Sequence, residues 1–309
     1  MKLHNQVKGR YRLTVIGSDG VIKNQTKWFD NLITDGGLEY MADNSDWIKF
    51  CQVGSGSATP NALDTGLTNW IAGSDTQQAT SQGAQSSEPY YVWRRRTIRF
   101  ADGVAAGNIS EVGMGWASNG SLFSRALVLD SGGSPTSITV GAGETLDVTY
   151  EVRFFPKLED VTGSVVLTGN LGGTYDYVMR AAQVTRRQSL DGWEIGLWGT
   201  SMGYAAVAGF QYARSGDLSA ITSEPTGTDF PATSQTLLAY ETGTLERKVA
   251  VVWGPSEGNV PGGIRTFTVK LGIGLFQFRV GLDGTDATLP KTSDDQLSLT
   301  FSHSWGRAA

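Results

Sequence analysis

A chain of 309 residues with 40 glycines, 9 Trp, 10 Tyr and 12 Phe is too rich in apolar and aromatic side chains for a disordered segment. Its glycines follow no G-X-Y period, so it is not a collagen, and its single cysteine excludes an intrachain disulfide and a Cys-rich zinc site. Two histidines leave little material for a His-dependent catalytic centre, and a net charge of −5 with 18% charged residues argues against nucleic acid as the main partner.

In chain order the pattern is nearly all strand. Residues 1–6 hold no apolar signal-peptide core, which implies synthesis and folding in a cytoplasm, and His4 falls in what reads as a flexible tail. Residues 11–16 (YRLTVI) form a strand, 17–20 (GSDG) a turn, and 21–29 the returning strand. The one helical candidate is 38–42, with Thr34 or Asp35 as N-cap. A strand at 50–53 carries Cys51 as a small buried hydrophobe and ends in GSGS, a turn with no Walker or Rossmann continuation. Residues 73–88, rich in Ser, Gln, Thr and Gly, read as a long surface loop. Strands at 90–100, 112–116, 122–129, 138–140 and 146–155 complete the first half. Pro156 stops the last of them, and residues 162–164 (TGS) read as a turn.

Four blocks recur in order. LFSRALVLD (122–130) aligns with LFQFRVGLD (275–283) and RRRTIRF (94–100) with RKVAVVW (247–253), both at an offset of 153. GNI (107–109) aligns with GNV (258–260), and LDVTYEV (146–152) with LSLTFSH (297–303), both at 151. The repeat predicts an all-β chain: two tandem antiparallel β-sandwich domains related by internal duplication, with little helix, divided as 1–157 and 158–309. Alternation agrees. Leu146, Val148, Tyr150 and Val152 face in and Asp147, Thr149 and Glu151 face out, as do Leu297, Leu299 and Phe301 against Ser298, Thr300 and Ser302.

Catalytic signals are poor. Glu88, Asp102, Glu111, Glu144, Asp147, Glu151 and Glu194 offer carboxylates, but nothing singles out a glycosidase pair. The acidic turns at 283–286 and 294–295 lack calcium-loop spacing and read as plain turns. His303, beside Trp305, reads as a late-strand packing or interface residue. No cofactor or metal is called for. The nearest approach to a membrane span, residues 204–210, is short and rich in Gly and Ala, so no membrane insertion is expected.

The sharpest local feature is residues 93–100 (WRRRTIRF). As a strand it places Arg94, Arg96 and Phe100 on one face and Trp93, Arg95 and Arg99 on the other, so charge lies on both. That fits an edge strand, either guarding itself with charge or meeting another subunit. The expected subunit interface comprises Trp93, Arg94, Arg95, Arg96 and Arg99, with Arg247, Trp253 and Trp305 from the second half. Tyr90, Tyr91, Trp193 and Trp198 are candidates for stacking on sugar rings.

WFDNLITDGGL (28–38), CQVGSG (51–56), ISEVG (109–113), LFSRA (122–126) and LDVTY (146–150) follow one another in an order that resembles structural proteins of tailed bacteriophages. The resemblance spans roughly residues 7–155. It implies a non-enzymatic virion component at the distal tail or baseplate, made in the bacterial host cytoplasm and linking the tail hub or tube to fibres. The implied partners are other copies of itself, other tail proteins and, in a rival reading, host surface carbohydrate. A depolymerase is the third reading, but such enzymes carry many short β-helix repeats and this chain has one coarse repeat. The duplication adds an expectation: three copies of a two-domain chain present six similar domains, enough to match a trimeric fibre or hub to a six-fold tail.

Overall fold

The computed structural model describes residues 2–188, 192–204 and 211–308. In the first half the elements are β1 (Lys2–Ile16), β2 (Ile22–Gln25), β3 (Phe29–Asp30), β4 (Leu32–Ile33), α1 (Asp35–Tyr40), β5 (Phe50–Gly54) and β6 (Trp70–Ser74). They continue as β7 (Gln77–Ala84), β8 (Val92–Phe100), β9 (Gly107–Ile109), β10 (Glu111–Gly115), β11 (Leu122–Leu127), β12 (Ile138–Val140) and β13 (Thr145–Phe155). The second half holds β14 (Val161–Leu167), β15 (Gly173–Ala181), β16 (Gln211–Arg214), β17 (Phe230–Pro231), β18 (Ser234–Leu237), β19 (Glu246–Trp253), β20 (Thr266–Leu271), β21 (Gly274–Leu282) and β22 (Leu297–Arg307).

The chain is all-β, with one short α-helix and a single 3-10 turn, Gly169–Leu171, among the described residues. Thr34 caps α1 by accepting a bond from Gly37 N at 2.9 Å, so the helix begins three residues before the expected segment. The main sheet has nine strands, ordered β18-β19-β22-β1-β13-β8-β7, with β2 and β3 also on β1. Two smaller sheets, β4-β11-β10-β5-β6 and β14-β15-β21-β20-β16-β17, cover one face of it. Tyr11 and Ser124 join the first pair of layers through hydroxyls 2.6 Å apart. Trp253 on Phe267 (4.9 Å) and Phe301 on Phe278 (4.5 Å) join the second. The inward set is the one that alternation picks out: Leu146, Val148, Tyr150 and Val152 are 0–1% exposed.

The two halves use similar strand orders. The order β4-β11-β10-β5-β6 is matched by β15-β21-β20-β16-β17, and β13-β8-β7 by β22-β19-β18. Register agrees too. Arg95 lies opposite Glu151. Shifting them by the sequence offsets of 153 and 151 gives Lys248 opposite Ser302, which is the observed pair.

Three expectations are corrected. Residues 77–84 are strand β7, not loop, because a polar strand can form the sheet edge when β8 supplies its ladder. The TGS at 162–164 lies inside β14. His4 sits in β1, its Nδ1 3.0 Å from Ser304 Oγ, and is not in a free tail. The halves meeting near residue 157 share the nine-stranded sheet. β1 pairs antiparallel with β13 on one side and parallel with β22 on the other, from Lys2 opposite Ser302 to Val7 opposite Arg307. Trp47 Nε1 donates to Thr200 O (3.1 Å), Ile48 N to Trp198 O (2.9 Å) and Met202 N to Met41 O (2.8 Å) across the same seam. Residues 205–210 of the apolar run lie outside the described residues, and no described helix is long and apolar enough to cross a membrane.

His303 makes the seam sensitive to acid. It is 1% exposed, its Nε2–H donates to Met202 O at 2.8 Å, and its Nδ1 has no partner. Burial, with Lys270 and Arg247 adding repulsion, lowers its pKa to about 4. The folded imidazole is therefore neutral where an unfolded one protonates near 6.5. Its stabilisation is complete above pH 6.5 and is lost as pH falls from there to about 4, a loss of about 3 kcal/mol. Urea midpoints at pH 7 and about 4.5 should separate more in the wild type than in His303→Gln, which keeps a donor for Met202. Equal separations would dismiss the assignment.

Candidate functional site

The uncovered face of the nine-stranded sheet carries the most concentrated chemistry on the chain. Alternation in β1 turns Arg10 and Arg12 to this face, in β13 Glu151 and Arg153, and in β8 Trp93, Arg95 and Arg99. Cross-strand register sets Arg10 opposite Glu151 and Glu151 opposite Arg95. Trp28, in the connection between β2 and β3, lies over them. Its ring centroid is 4.5 Å from Arg10 Cζ, 5.0 Å from Arg12 Cζ and 5.2 Å from Arg95 Cζ. Arg95 also stacks on Trp93 at 5.1 Å, and Arg153 on Tyr91 at 4.6 Å. Each such contact contributes about 0.5–1 kcal/mol at a partly exposed site.

Glu151 is the hub of this cluster. It is 2% exposed and pairs with Arg10 (2.8 Å), Arg95 (2.5 Å) and Arg153 (2.7 Å). Burial opposes its charge, but the guanidiniums of Arg95, Arg153 and Arg10 hold the carboxyl below its ordinary pKa. Three guanidiniums thus share one carboxylate, with Arg12 a fourth beside them. Arg12 makes no ion pair among the described residues, and its Nε is buried without a hydrogen-bond partner. Arg99 with Asp147 (2.7 Å) and Lys8 with Asp30 (3.1 Å) form neutral pairs at the margins. The result is a rigid positive surface, rich in Arg and Trp, on an acidic chain. Those residue types anchor protein interfaces.

Trp93, Arg95 and Arg99 lie on this face as the sequence implies, but β8 is an interior strand, covered by β7. Arg94 and Arg96 point the other way and are 7% and 1% exposed. Arg94 Nε donates to Ile195 O (2.9 Å) and Arg96 to the carbonyls of Ile48 and Lys49. Burial lowers the Arg96 pKa to about 10. These two arginines fasten segments of this chain and are not available to a partner.

Arg247 is also internal, 4% exposed and 2.7 Å from Asp43 of the first half. Trp253 and Trp305 are core residues at 0% and 1% exposure, their indole N–H groups bonded to Phe230 O and Leu38 O. Trp193 is buried against Phe276, with Nε1 donating to Ala182 O at 2.6 Å, and offers no ring face to a sugar. Trp198 is 46% exposed beside Lys49, and Tyr90 and Tyr91 are half-buried. Sequence reasoning missed Trp28, Arg10, Arg12 and Arg153 as surface residues. The available signal was the basic alternation Lys8, Arg10, Arg12 in β1.

Segments 51–56, 109–113 and 122–126 converge on a buried clamp. Glu111 is 0% exposed and accepts bonds from Gly56 N (2.9 Å), Thr68 N (3.0 Å), Asn69 N (2.8 Å) and Arg125 Nη2 (2.7 Å). Arg125 reaches Asp64 at 2.6 Å. A Cβ on Gly56 would lie 2.3 Å from Glu111 Oε1, which is why glycine stands there. This carboxylate organises the 55–69 loop and is closed to any substrate. Asp286 of the acidic turn is likewise engaged, with Arg265 and Arg279. Among the described residues no group of three or more His, Cys, Asp or Glu is arranged to hold a metal ion. No protein-family model matches the chain, and no curated protein or solved structure does.

Proposed function

We propose that this chain is a non-enzymatic structural component of a bacteriophage tail, working at the distal tail or baseplate in several copies and joining the tail hub or tube to fibres. The observation that carries the reading is the Trp28-covered arginine face: a contact surface prepaid in rigidity, because it stands on central strands of the largest sheet. The recurrence of strand order and register in the two halves supports descent by duplication and gives each subunit two similar units. Three subunits then present six units, a means of matching three-fold to six-fold symmetry.

Imaging of the particle that carries this chain tests both statements. Density for the chain at the distal tail, three copies to a ring, is the expected result. Absence from the particle overturns the tail assignment, and six or twelve equivalent copies around the axis overturn the symmetry role. Recognition of host surface carbohydrate is a second reading that keeps exposed Trp198 with Tyr90 and Tyr91. Glycan-array binding lost in Trp198→Ala, with folding intact, would favour it.

A further inference from the structure

The charges are divided unequally between the halves. Residues 1–157 hold 14 Lys and Arg against 15 Asp and Glu, whereas residues 158–309 hold 11 against 15. The first half nonetheless displays the unbalanced arginine cluster. The second half carries its acidic counterpart on the uncovered face of the six-stranded sheet. Asp176 lies opposite Gly281 in the β15–β21 ladder and so shares a face with it. A Cβ on Gly281 would lie 2.1 Å from Asp286 Oδ1, so Asp286 folds over that same spot. Asp217 and Asp286 both pair with Arg279. Asp176 and Asp283 are exposed and make no ion pair among the described residues.

The two faces cannot meet within one molecule. The six-stranded sheet covers the inner face of the nine-stranded sheet, so its own outer face looks away from Trp28 and the arginines. We infer that the arginine face of one copy, centred on Arg12 and Trp28, receives the Asp176–Asp283 face of a second copy. The contact rests on the multi-copy role proposed above and names its partner. It is heterologous, joining the first half of one subunit to the second half of the next, so it propagates around a ring or along a stack. Unpaired Arg12 gains the carboxylate it lacks, and the opposite charges of the two faces fix the orientation and the on-rate.

Sedimentation of the full chain in about 50 mM and about 500 mM salt tests this, because screening weakens exposed charge pairs. Association at low salt that weakens at high salt is expected. Arg12→Glu should raise the Kd about ten-fold or more, and so should Asp176→Arg with Asp283→Arg. Combining the three changes should restore association. The aspartates are exposed, so their variant reports on the contact even if Arg12→Glu disturbs packing under Trp28. A wild type that stays monomeric at both salts, reversals without effect, or a combination no better than its parts overturns the inference. So does Arg12-dependent capture of an acidic polysaccharide with self-association unchanged. Placement of the chain in the particle is read separately, so a tail protein that fails these tests leaves the proposed function standing.

Discussion

Glu111→Ala is expected to remove about 5 kcal/mol or more of folding free energy, the largest single loss in the first half. The carboxylate is fully buried and receives three backbone N–H groups and the Arg125 guanidinium, itself 2% exposed. Removing one member of a buried pair strands the other charge, which costs about 3–5 kcal/mol, and each orphaned buried N–H adds about 1–3. Asp64, 2.6 Å from Arg125, offsets part of the charge. Whole proteins hold only about 5–15 kcal/mol, so this variant should be near the limit of folding. Glu111→Gln keeps the shape and one acceptor and should cost about 2–3 kcal/mol, the worth of bonds to a charged group. Urea unfolding of the two variants gives the comparison. An alanine variant within about 1 kcal/mol of wild type would show that the 55–69 loop does not depend on this carboxylate.

How much of this was legible in the sequence depends on distance along the chain. Alternation in 146–152 and 93–100 put each side chain on its correct face, because a strand needs only its own period. The block offsets even carried the ladder register of the second half. Arg94 and Arg96 were misread for a physical reason. Guanidiniums are expected in solvent unless acceptors are known, and theirs are carbonyls of Ile48, Lys49 and Ile195, far off in the sequence. Strand β7 has few β-branched or apolar residues to mark it, and its conformation is imposed by β8. The pairing of β1 with β22 joins the two ends of the chain and has no local signature at all. The arginine cluster was half visible. Its basic alternation is in β1, while the carboxylate that organises it is 139 and more residues away in β13.

Trp305→Ala should destabilise the whole molecule by about 3–5 kcal/mol, and in one transition. The indole is 1% exposed, lies near Tyr240 and His303, and donates through Nε1 to Leu38 O at 2.8 Å. Alanine leaves a large cavity and an unpaired carbonyl at the end of α1. The site belongs to both halves at once. Trp305 is on β22, it lies opposite Asn5 of β1, and Leu38 lies in α1 of the first half. Arg307, two residues on, pairs with Asp35 and donates to Ile33 O. Loss of β22 would bare the parallel edge of β1 and release these first-half partners together, so the halves cannot melt independently. Calorimetry should therefore show one peak in the wild type and one, shifted lower, in the variant. Trp305→Phe fills most of the volume and loses only the N–H, so its shift should reflect about 1–2 kcal/mol. Two peaks, with only the later-sequence half affected, would mean that the shared sheet does not couple the halves and that each sandwich stands by itself.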